Sequence, residues 1–341
     1  MDNDIKKPRR LLSIGTDRLL FTEGSAVRAR IAGYAKGWDE MHIVVATDGS
    51  FSETAIAPNV WIYPTRSKVK ALYPHDATRI GRFIIERRGI TDITCQDPFL
   101  TAFAGVSLKK EFGLPLEVQV HTDIGSPNYP YTIGNKIRKA MALMYLPKAD
   151  TIRVVAEKTK KFLVEMLSIP EQKITVRPIA VDMDAIRNAP IIAAADLRAK
   201  HPQFDKIVFM ASRLTQEKNI QLAIESWPGV LMQVPKAGLV IVGSGECEEQ
   251  LKKLAEKRGI ASSVVFEPWA DQATLASYYK TADVFLATSL FEGYGMTFME
   301  AKAAGCPIVS TNVGIASEAG ASIIGWDETD AIRGITGALG V

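Results

Sequence analysis

Two features of the sequence predict an α/β protein with two doubly wound domains. Short apolar runs of strand length alternate with helix-period segments along the chain, and those runs are apolar nearly throughout, as in parallel strands covered on both faces. The length of 341 residues suits two domains of ordinary size better than one.

The first series opens with RLLSIG (10–15) as a strand, SAVRARIAGYAKGW (25–38) as a helix and MHIVVAT (41–47) as a second strand. WIYP (61–64), DITCQD (92–97) and LEVQVHTD (116–123) continue the strands. Helices over 77–89 and 100–113 close on glycine, which takes the left-handed conformation at a helix end without strain. A helix over 132–149, the strand 152–157, a Lys-rich helix (158–167) and the strand 174–181 finish this half. Residues 182–205 are less regular, so the domain boundary is placed there, giving domains of 1–184 and 185–341. The second series has strands at 207–212, 238–244, 264–269, 283–289 and 307–313. Helices fall at 219–227, 248–259, 271–282 and 296–305.

A content of 47% hydrophobic and 23% charged residues excludes a disordered chain. Cys95, Cys247 and Cys306 lie far apart and have no metal-ligand spacing. They argue against a disulfide framework and for a reducing, cytoplasmic setting. The start, MDNDIKKPRR, has no apolar core behind it and does not read as a signal peptide. Charge is uneven. Residues 1–180 carry 27 Lys and Arg against 19 Asp and Glu, and residues 181–341 carry 14 against 19. A basic first half suits an anionic lipid, a nucleic acid or a phosphorylated substrate, or is a solvated surface.

In open parallel sheets ligands bind at the carboxyl ends of strands. Arg213 and Lys218 lie in the first such junction of the second half, ASRLTQEKN (211–219), where two cations suit a diphosphate. Seen alone, surface charge explains them equally well. Gly243 and Gly245 in VGSGE allow a tight turn and close backbone approach to a ligand, though any strand-to-helix turn has similar needs. The sharpest junction is SLFEGYGMTFMEAKAAG (289–305). There Glu292 and Gly293-Tyr294-Gly295 precede a helix expected to carry Glu300 in its first turn. Free amides and the helix dipole make an anion site. A carboxylate on each side accepts from sugar hydroxyls, which together describe a nucleotide diphospho-sugar. Glu300 also has a plainer role as a charge partner of the helix start.

Arg213 and Lys218, then Gly243-x-Gly245, then Glu292 and Glu300 with seven residues between, resemble the donor site of the family 4 retaining glycosyltransferases. Order and spacing match across 207–320, including ADVFLATS, EAKAAGCPIVSTNVG and Glu318. The first half matches at QDPF (96–99), VHTD (120–123), KADTIRVVAEKTKKFL and VRPIAVDMDAI (176–186). The resemblance implies the GT-B fold: two Rossmann-like doubly wound domains facing across a cleft, residues 1–184 binding the acceptor and 185–341 the donor. It implies that Arg213 and Lys218 bind the diphosphate, Glu300 the ribose, and Glu292 the donor sugar. The amides of Gly293, Tyr294, Gly295 and Met296 join them, with Gly243 and Gly245 beside. His121 resembles the family's active-site histidine and is expected to bond a sugar hydroxyl. His121, Glu292, Arg213 and Lys218 are thus the expected catalytic set.

Departures from the pattern fall at Ser212 and Glu267, where the family has glycine. Glu267-Pro268-Trp269 changes the expected base pocket, to which Trp269 belongs. The family also adds further helices after 320–326, the last crossing back onto the first domain. The sequence stops at Val341, so those closing helices are expected to be missing and the second domain truncated. Asp182-Met183-Asp184 has the look of a metal-binding motif but falls at the family's interdomain turn and is taken as a turn. With two cations and a helix start on the diphosphate, no metal and no further cofactor is expected.

The resulting expectation is retaining, metal-independent transfer of a hexose-type sugar. The donor is a UDP-, GDP- or ADP-sugar, and the acceptor is a hydroxyl on a glycan or lipid-linked molecule. No nucleic acid partner is expected. Lys136, Arg138, Lys139, Lys158, Lys160 and Lys161 suggest a peripheral membrane contact, on the inner face, through the basic first domain. A nucleotide-sugar epimerase of the same fold and a non-catalytic nucleotide-sugar-binding protein remain as alternatives. A nicotinamide oxidoreductase is disfavoured, because RLLSIGTDRLLFTEG lacks G-x-G-x-x-G.

Overall fold

The structure is a computed structural model that describes residues 8–341. The first seven residues of MDNDIKKPRR, the stretch that does not read as a signal peptide, lie outside the described residues. The chain divides into two compact units. Unit 1 runs to Gly125 and resumes over Pro130–Arg177; unit 2 holds Ser126–Tyr129 and Pro178–Val341.

Unit 1 contains the strands β1 (Arg10–Gly15), β2 (Glu40–Val45), β3 (Thr54–Ala57), β4 (Val60–Pro64), β5 (Asp92–Cys95), β6 (Leu116–Val120), β7 (Thr151–Val154) and β8 (Ile174–Val176). Its helices are α1 (Ala26–Ala35), α2 (Tyr73–Arg88), α3 (Leu100–Phe112), α4 (Ile133–Tyr145) and α5 (Glu157–Leu167). The eight strands are ordered β3-β4-β2-β1-β5-β6-β7-β8, all parallel except the edge pair β3–β4. Gly89 and Gly113 close α2 and α3 in the left-handed conformation, as the sequence indicated.

The sheet of unit 1 has two unlike sides. On one, Leu11, Met41, Ile43, Val45, Val60 and Ile62 pack against Val27, Ile31 and Ala35 of α1. Strand register carries the same side onward to Thr94, Glu117, Gln119, Arg153 and Thr175. These are polar, so the expected apolar cover on both faces holds over β1, β2 and β4 and not over β5–β8.

Unit 2 contains α6 (Met183–Asn188), α7 (Leu197–Lys200), β9 (Lys206–Ala211), α8 (Ile220–Gln233), β10 (Ala237–Val242), α9 (Glu248–Lys257) and β11 (Val264–Glu267). It continues with α10 (Gln272–Thr281), β12 (Val284–Ala287), α11 (Met296–Ala304), β13 (Ile308–Thr311), α12 (Ala316–Ala319), β14 (Ser322–Ile324) and α13 (Glu328–Ala338). The parallel sheet is ordered β11-β10-β9-β12-β13-β14. Helices α8, α9 and α13 share a core with apolar residues from all six strands. The opposite side is aromatic: Phe209 and Phe285 meet Tyr278 and Tyr279 of α10 and Phe298 of α11.

The unit boundary falls before 184 because α6 packs within unit 2. Ile186 clusters with Ala276 and Ala303, and Val181 and Met183 pack on that cluster. Asp182 caps α6 by accepting from the Ala185 amide at 2.9 Å, and Asp184 pairs with Arg187. Both carboxylates are engaged locally, in keeping with a turn. Among the described residues no group of three or more His, Cys, Asp or Glu is placed to hold a metal ion. Cys95, Cys247 and Cys306 are free thiols. No helix of the described residues is long and apolar enough to cross a membrane.

Candidate active site

In unit 2 the predicted donor residues follow the carboxyl ends of four adjacent strands: Arg213 and Lys218 after β9, Gly243 and Gly245 after β10, Trp269 after β11, and Glu292 to Met296 after β12. The strand order places these loops side by side, as the topology of an open sheet requires.

Two of them are joined by charge. The Lys218 ammonium pairs with Glu292 Oε1, which also accepts from Ser289 Oγ at 2.9 Å. Both partners of the ion pair are largely buried, which strengthens their attraction relative to an exposed pair. Backbone contacts fix the same two loops. The Leu290 amide donates to the Glu217 carbonyl at 2.8 Å, and Thr288 Oγ1 donates to the Asn219 carbonyl at 2.9 Å. Asn219 has φ 47° and ends the short turn 216–218 in the left-handed region, so that α8 starts directly after it. Arg213 is separate from this pair. Its side chain is 66% exposed, and its guanidinium lies 3.1 Å from Glu217 Oε1, which also accepts from Thr215 Oγ1 at 2.7 Å.

The two glycines after β10 meet a different neighbour from the expected one. A Cβ on Gly243, where φ is +140°, would lie 1.9 Å from the Ser212 carbonyl oxygen. One on Gly245 would lie 2.3 Å from that of Leu214. The Leu214 amide donates to the Ser244 carbonyl and the Cys247 amide to the Leu214 carbonyl, each at 2.9 Å. The Gly243 amide donates to the Glu267 carbonyl. The close approach they permit is therefore of one loop to the next, and it holds the stretch bearing Arg213 in place.

Gly295 has φ 88° and is the N-cap of α11 without any side-chain cap. The first amides of α11 lack partners within their own helix, as at any helix start. Tyr294 is buried and its carbonyl accepts from the Ile315 amide at 3.0 Å. Gly314, at φ +50°, lies beneath this loop: a Cβ there would come 2.2 Å from the Tyr294 carbonyl oxygen and 3.1 Å from Glu292 Cβ. Thr311 Oγ1 and Trp326 Nε1 both donate to the Ser289 carbonyl, at 2.7 and 3.1 Å. Sequence reading missed Glu217, Thr288, Thr311, Gly314 and Trp326. The faint signals were buried hydroxyls ending apolar strands and a glycine after β13.

Glu300 lies in the second turn of α11 rather than the first, since the helix begins at Met296. Its Oε2 accepts from the Tyr279 hydroxyl at 3.0 Å. Burial holds its pKa above the ordinary value, and the tyrosine bond offsets part of that. Trp269 is 65% exposed. Its neighbour Glu267 turns its side chain to Lys200 Nζ and the Tyr278 hydroxyl, each 2.6 Å from Oε2. The departure from glycine at 267 is thereby absorbed by an ion pair with α7.

In unit 1, His121 follows β6 and is exposed; its Nε2 lies 3.1 Å from Gln119 Oε1, which also accepts from Arg153. Desolvation of the ring, then the charges of Arg153 and Arg30, hold its pKa below the ordinary 6.5. The ring is neutral at pH 7 and able to accept or donate. Asp97, which shares the QDPF match of this half, serves locally: Oδ1 accepts from the amides of Phe99 at 2.8 Å and Thr101 at 3.3 Å at the start of α3.

Two parallel-sheet Rossmann-like units, with charged loops gathered at strand ends, define the GT-B class of glycosyltransferase folds. Over 97% of its length the chain matches sucrose-phosphate synthase of Thermosynechococcus elongatus, covering 90% of that chain at TM-score 0.76 and 17% identity, which speaks to the fold alone. Residues 195–322 match the family described as glycosyl transferases group 1, and residues 31–185 match glycosyltransferase family 4. The chain belongs to the family 4 glycosyltransferases. It is 29% identical over 228 residues to an uncharacterized glycosyltransferase of Methanocaldococcus jannaschii, covering 65% of this chain and 57% of that one. It is 27% identical over 227 residues to the alpha-monoglucosyldiacylglycerol synthase of Streptococcus pneumoniae, covering 64% and 51%. The matched part thus spans little more than half the length of these relatives.

Proposed function

We propose that this chain transfers a hexose-type sugar from a nucleotide diphospho-sugar (UDP-, GDP- or ADP-linked) to a hydroxyl acceptor, with retention of configuration and without a metal ion. The observation that carries this reading is the Lys218–Glu292 pair beside the start of α11. It joins an ammonium to a carboxylate in the loop that leads into a helix N-terminus, a combination suited to a phosphate that carries a sugar.

The diphosphate lies against Lys218, Arg213 and the first amides of α11. Glu292 holds the ammonium until the donor arrives, then accepts from a sugar hydroxyl. Glu300 accepts from the ribose. As the bond from C1 to the phosphate oxygen breaks, charge grows on the leaving phosphate, and the fixed cations and amides stabilise it, by about 3 kcal/mol for a well-placed group. The acceptor oxygen bonds to C1 from the face that the phosphate leaves, and its proton passes to the departing phosphate. Cations supplied by the chain take the place a divalent metal has in other sites. His121, neutral at pH 7, bonds a sugar hydroxyl. The acceptor belongs to unit 1, and a lipid-linked hydroxyl is in keeping with the alpha-monoglucosyldiacylglycerol synthase among the relatives.

A thermal-shift screen against UDP, GDP, ADP and their sugars identifies the base and sugar, because a ligand that binds the folded state alone raises its stability. The anomer of the product and activity in the presence of a chelator then test retention and metal independence. Absence of any nucleotide-dependent shift, or loss of transfer on chelation, overturns the corresponding part.

A further inference from the structure

Helix α4 is amphipathic in the reverse of the usual sense. A surface helix turns its apolar stripe to the core and its polar face to water. On α4 the inward residues include buried Asn135 and Ala142, and Tyr145, whose ring meets Phe103 edge-on at 6.1 Å. The outward stripe is Ile133, Ile137, Ala140 and Met144, at the i, i+4, i+7 and i+11 spacing of a single helix face. Ile133 is 77% exposed, Ile137 57% and Met144 54%. Water against such a stripe is unfavourable, and a contiguous exposed apolar face marks a docking surface.

The charges on the helix select what docks. Its sequence, IGNKIRKAMALMY, has three cations and no acid. Lys136 is exposed and has no ion pair among the described residues. Arg138 donates to Asn135 Oδ1 at 3.1 Å, and Lys139 stands over the Phe162 ring at 5.8 Å. No carboxylate on α4 neutralises them, and the first 180 residues carry an excess of cations. A second copy of the chain docked through this face would set like charges against each other across a two-fold axis. An anionic bilayer has the complementary character: an apolar interior for the stripe and phosphates for the flanks.

We propose that α4 lies in the plane of an anionic lipid surface, with Ile133, Ile137 and Met144 below the headgroups and Lys136 among the phosphates. This inference does not rest on the donor site, and its test reads binding rather than transfer.

The full chain is sedimented with vesicles of phosphatidylcholine alone or with about one-third phosphatidylglycerol. Binding to the anionic vesicles is expected to be about tenfold tighter and to weaken with salt. The double variant Ile137→Glu, Met144→Glu is expected to bind about tenfold more weakly, and Lys136→Glu severalfold more weakly. Met232→Glu, at an exposed apolar residue of unit 2, leaves binding unchanged. All variants replace exposed side chains, and equal melting temperatures verify folding. Three outcomes overturn the proposal: equal binding to both vesicle types, a double variant that binds like the parent, or a solution dimer that the double variant dissociates.

Discussion

On the α1 side of unit 1, apolar packing runs over β4, β2 and β1 and gives way to Thr94, Glu117, Gln119 and Arg153. On the α8 side of unit 2 it runs across all six strands, where α13 adds its own cover over β12–β14. Ile335 of α13 and Leu339 just after it are buried there, and burial of such side chains contributes about 1.5–3 kcal/mol each. The polar residues of unit 1 bond one another instead: Thr94 donates to Glu117 and accepts from Gln119, while Gln119 accepts from Arg153, whose buried Nε is left without a hydrogen-bond partner among the described residues. The difference shows how each unit fixes its strand ends. Unit 2 holds its loops by backbone contacts and by side chains bonded to backbone carbonyls, over a complete core. Unit 1 holds His121 through a side-chain network.

The largest effect expected from this contrast is at Lys218. Lys218→Ala removes a cation from the proposed phosphate site and strands the Glu292 carboxylate. Transfer should fall roughly 100- to 1000-fold. A sugar-transfer assay on protein with unchanged circular dichroism checks it. Unchanged turnover would end the phosphate assignment.

Gly243→Ala comes next and acts on stability first. The added methyl would occupy the space of the Ser212 carbonyl oxygen at a φ that alanine rarely adopts. The loops of β9 and β10 must separate, at a cost of about 2 kcal/mol or more. Urea unfolding measures the cost. Weaker nucleotide binding, measured at a temperature where the variant is folded, is the expected consequence for the loop that bears Arg213. A variant as stable as the parent would disprove the packing argument.

Tyr279→Phe is milder. It takes the hydroxyl from Glu300 in a buried setting, so the cost should be about 1–2 kcal/mol. The raised pKa of Glu300 gives this variant a pH signature. The folded state holds a proton there more tightly than the unfolded chain, so stability contributed by Glu300 declines as pH rises above 4.5. Removing the donor that favours the carboxylate should steepen that decline, making the loss greater at pH 8 than at pH 5. Equal losses would indicate packing alone.

Much of the framework was legible in the sequence. The alternation of apolar runs and helical segments located the junctions, and the carboxyl-end rule brought Lys218 and Glu292 to adjacent loops although 74 residues separate them. Long-range backbone contacts were not legible. The sequence marks Gly243 and Gly314 as turn residues, but their crowding partners, Ser212 and Tyr294, are known only once the loops are folded. Helix α13 corrects the expectation that no helix follows 320–326: ETDAIRGITGA forms one, although it carries two glycines, poor helix formers in isolation. Tertiary packing overrides that weakness: a Cβ at Gly334 would lie 2.3 Å from Ile324 Cγ2, so the glycine lets the helix settle on β14. Conversely, LEVQV and TIRV already show the alternation of a strand with one polar side, in runs too short to decide the period.

The smallest effect concerns His121 and separates the two units by the sign of their pH response. Its pKa lies below 6.5, so in the window just under 6.5 the unfolded chain binds more protons than the folded one. Stability contributed by His121 is therefore present above that window and lost as pH falls through it, opposite to Glu300 in unit 2. His42, fully buried and stacked on Trp61, acts in the same direction, with burial as the main cause. Asp97 acts against both, since burial raises its pKa above 3.8. A single pH profile mixes these contributions, whereas the difference between the parent and His121→Gln isolates one. Because His121 is exposed, solvent screening keeps that difference below about 0.5 kcal/mol. Chemical denaturation at pH 7 and pH 5.5 should show His121→Gln losing less stability on acidification than the parent. An equal loss would mean that neither desolvation of the ring nor the charges of Arg153 and Arg30 act on it in solution, and that the side-chain network of unit 1 is looser than its hydrogen bonds indicate.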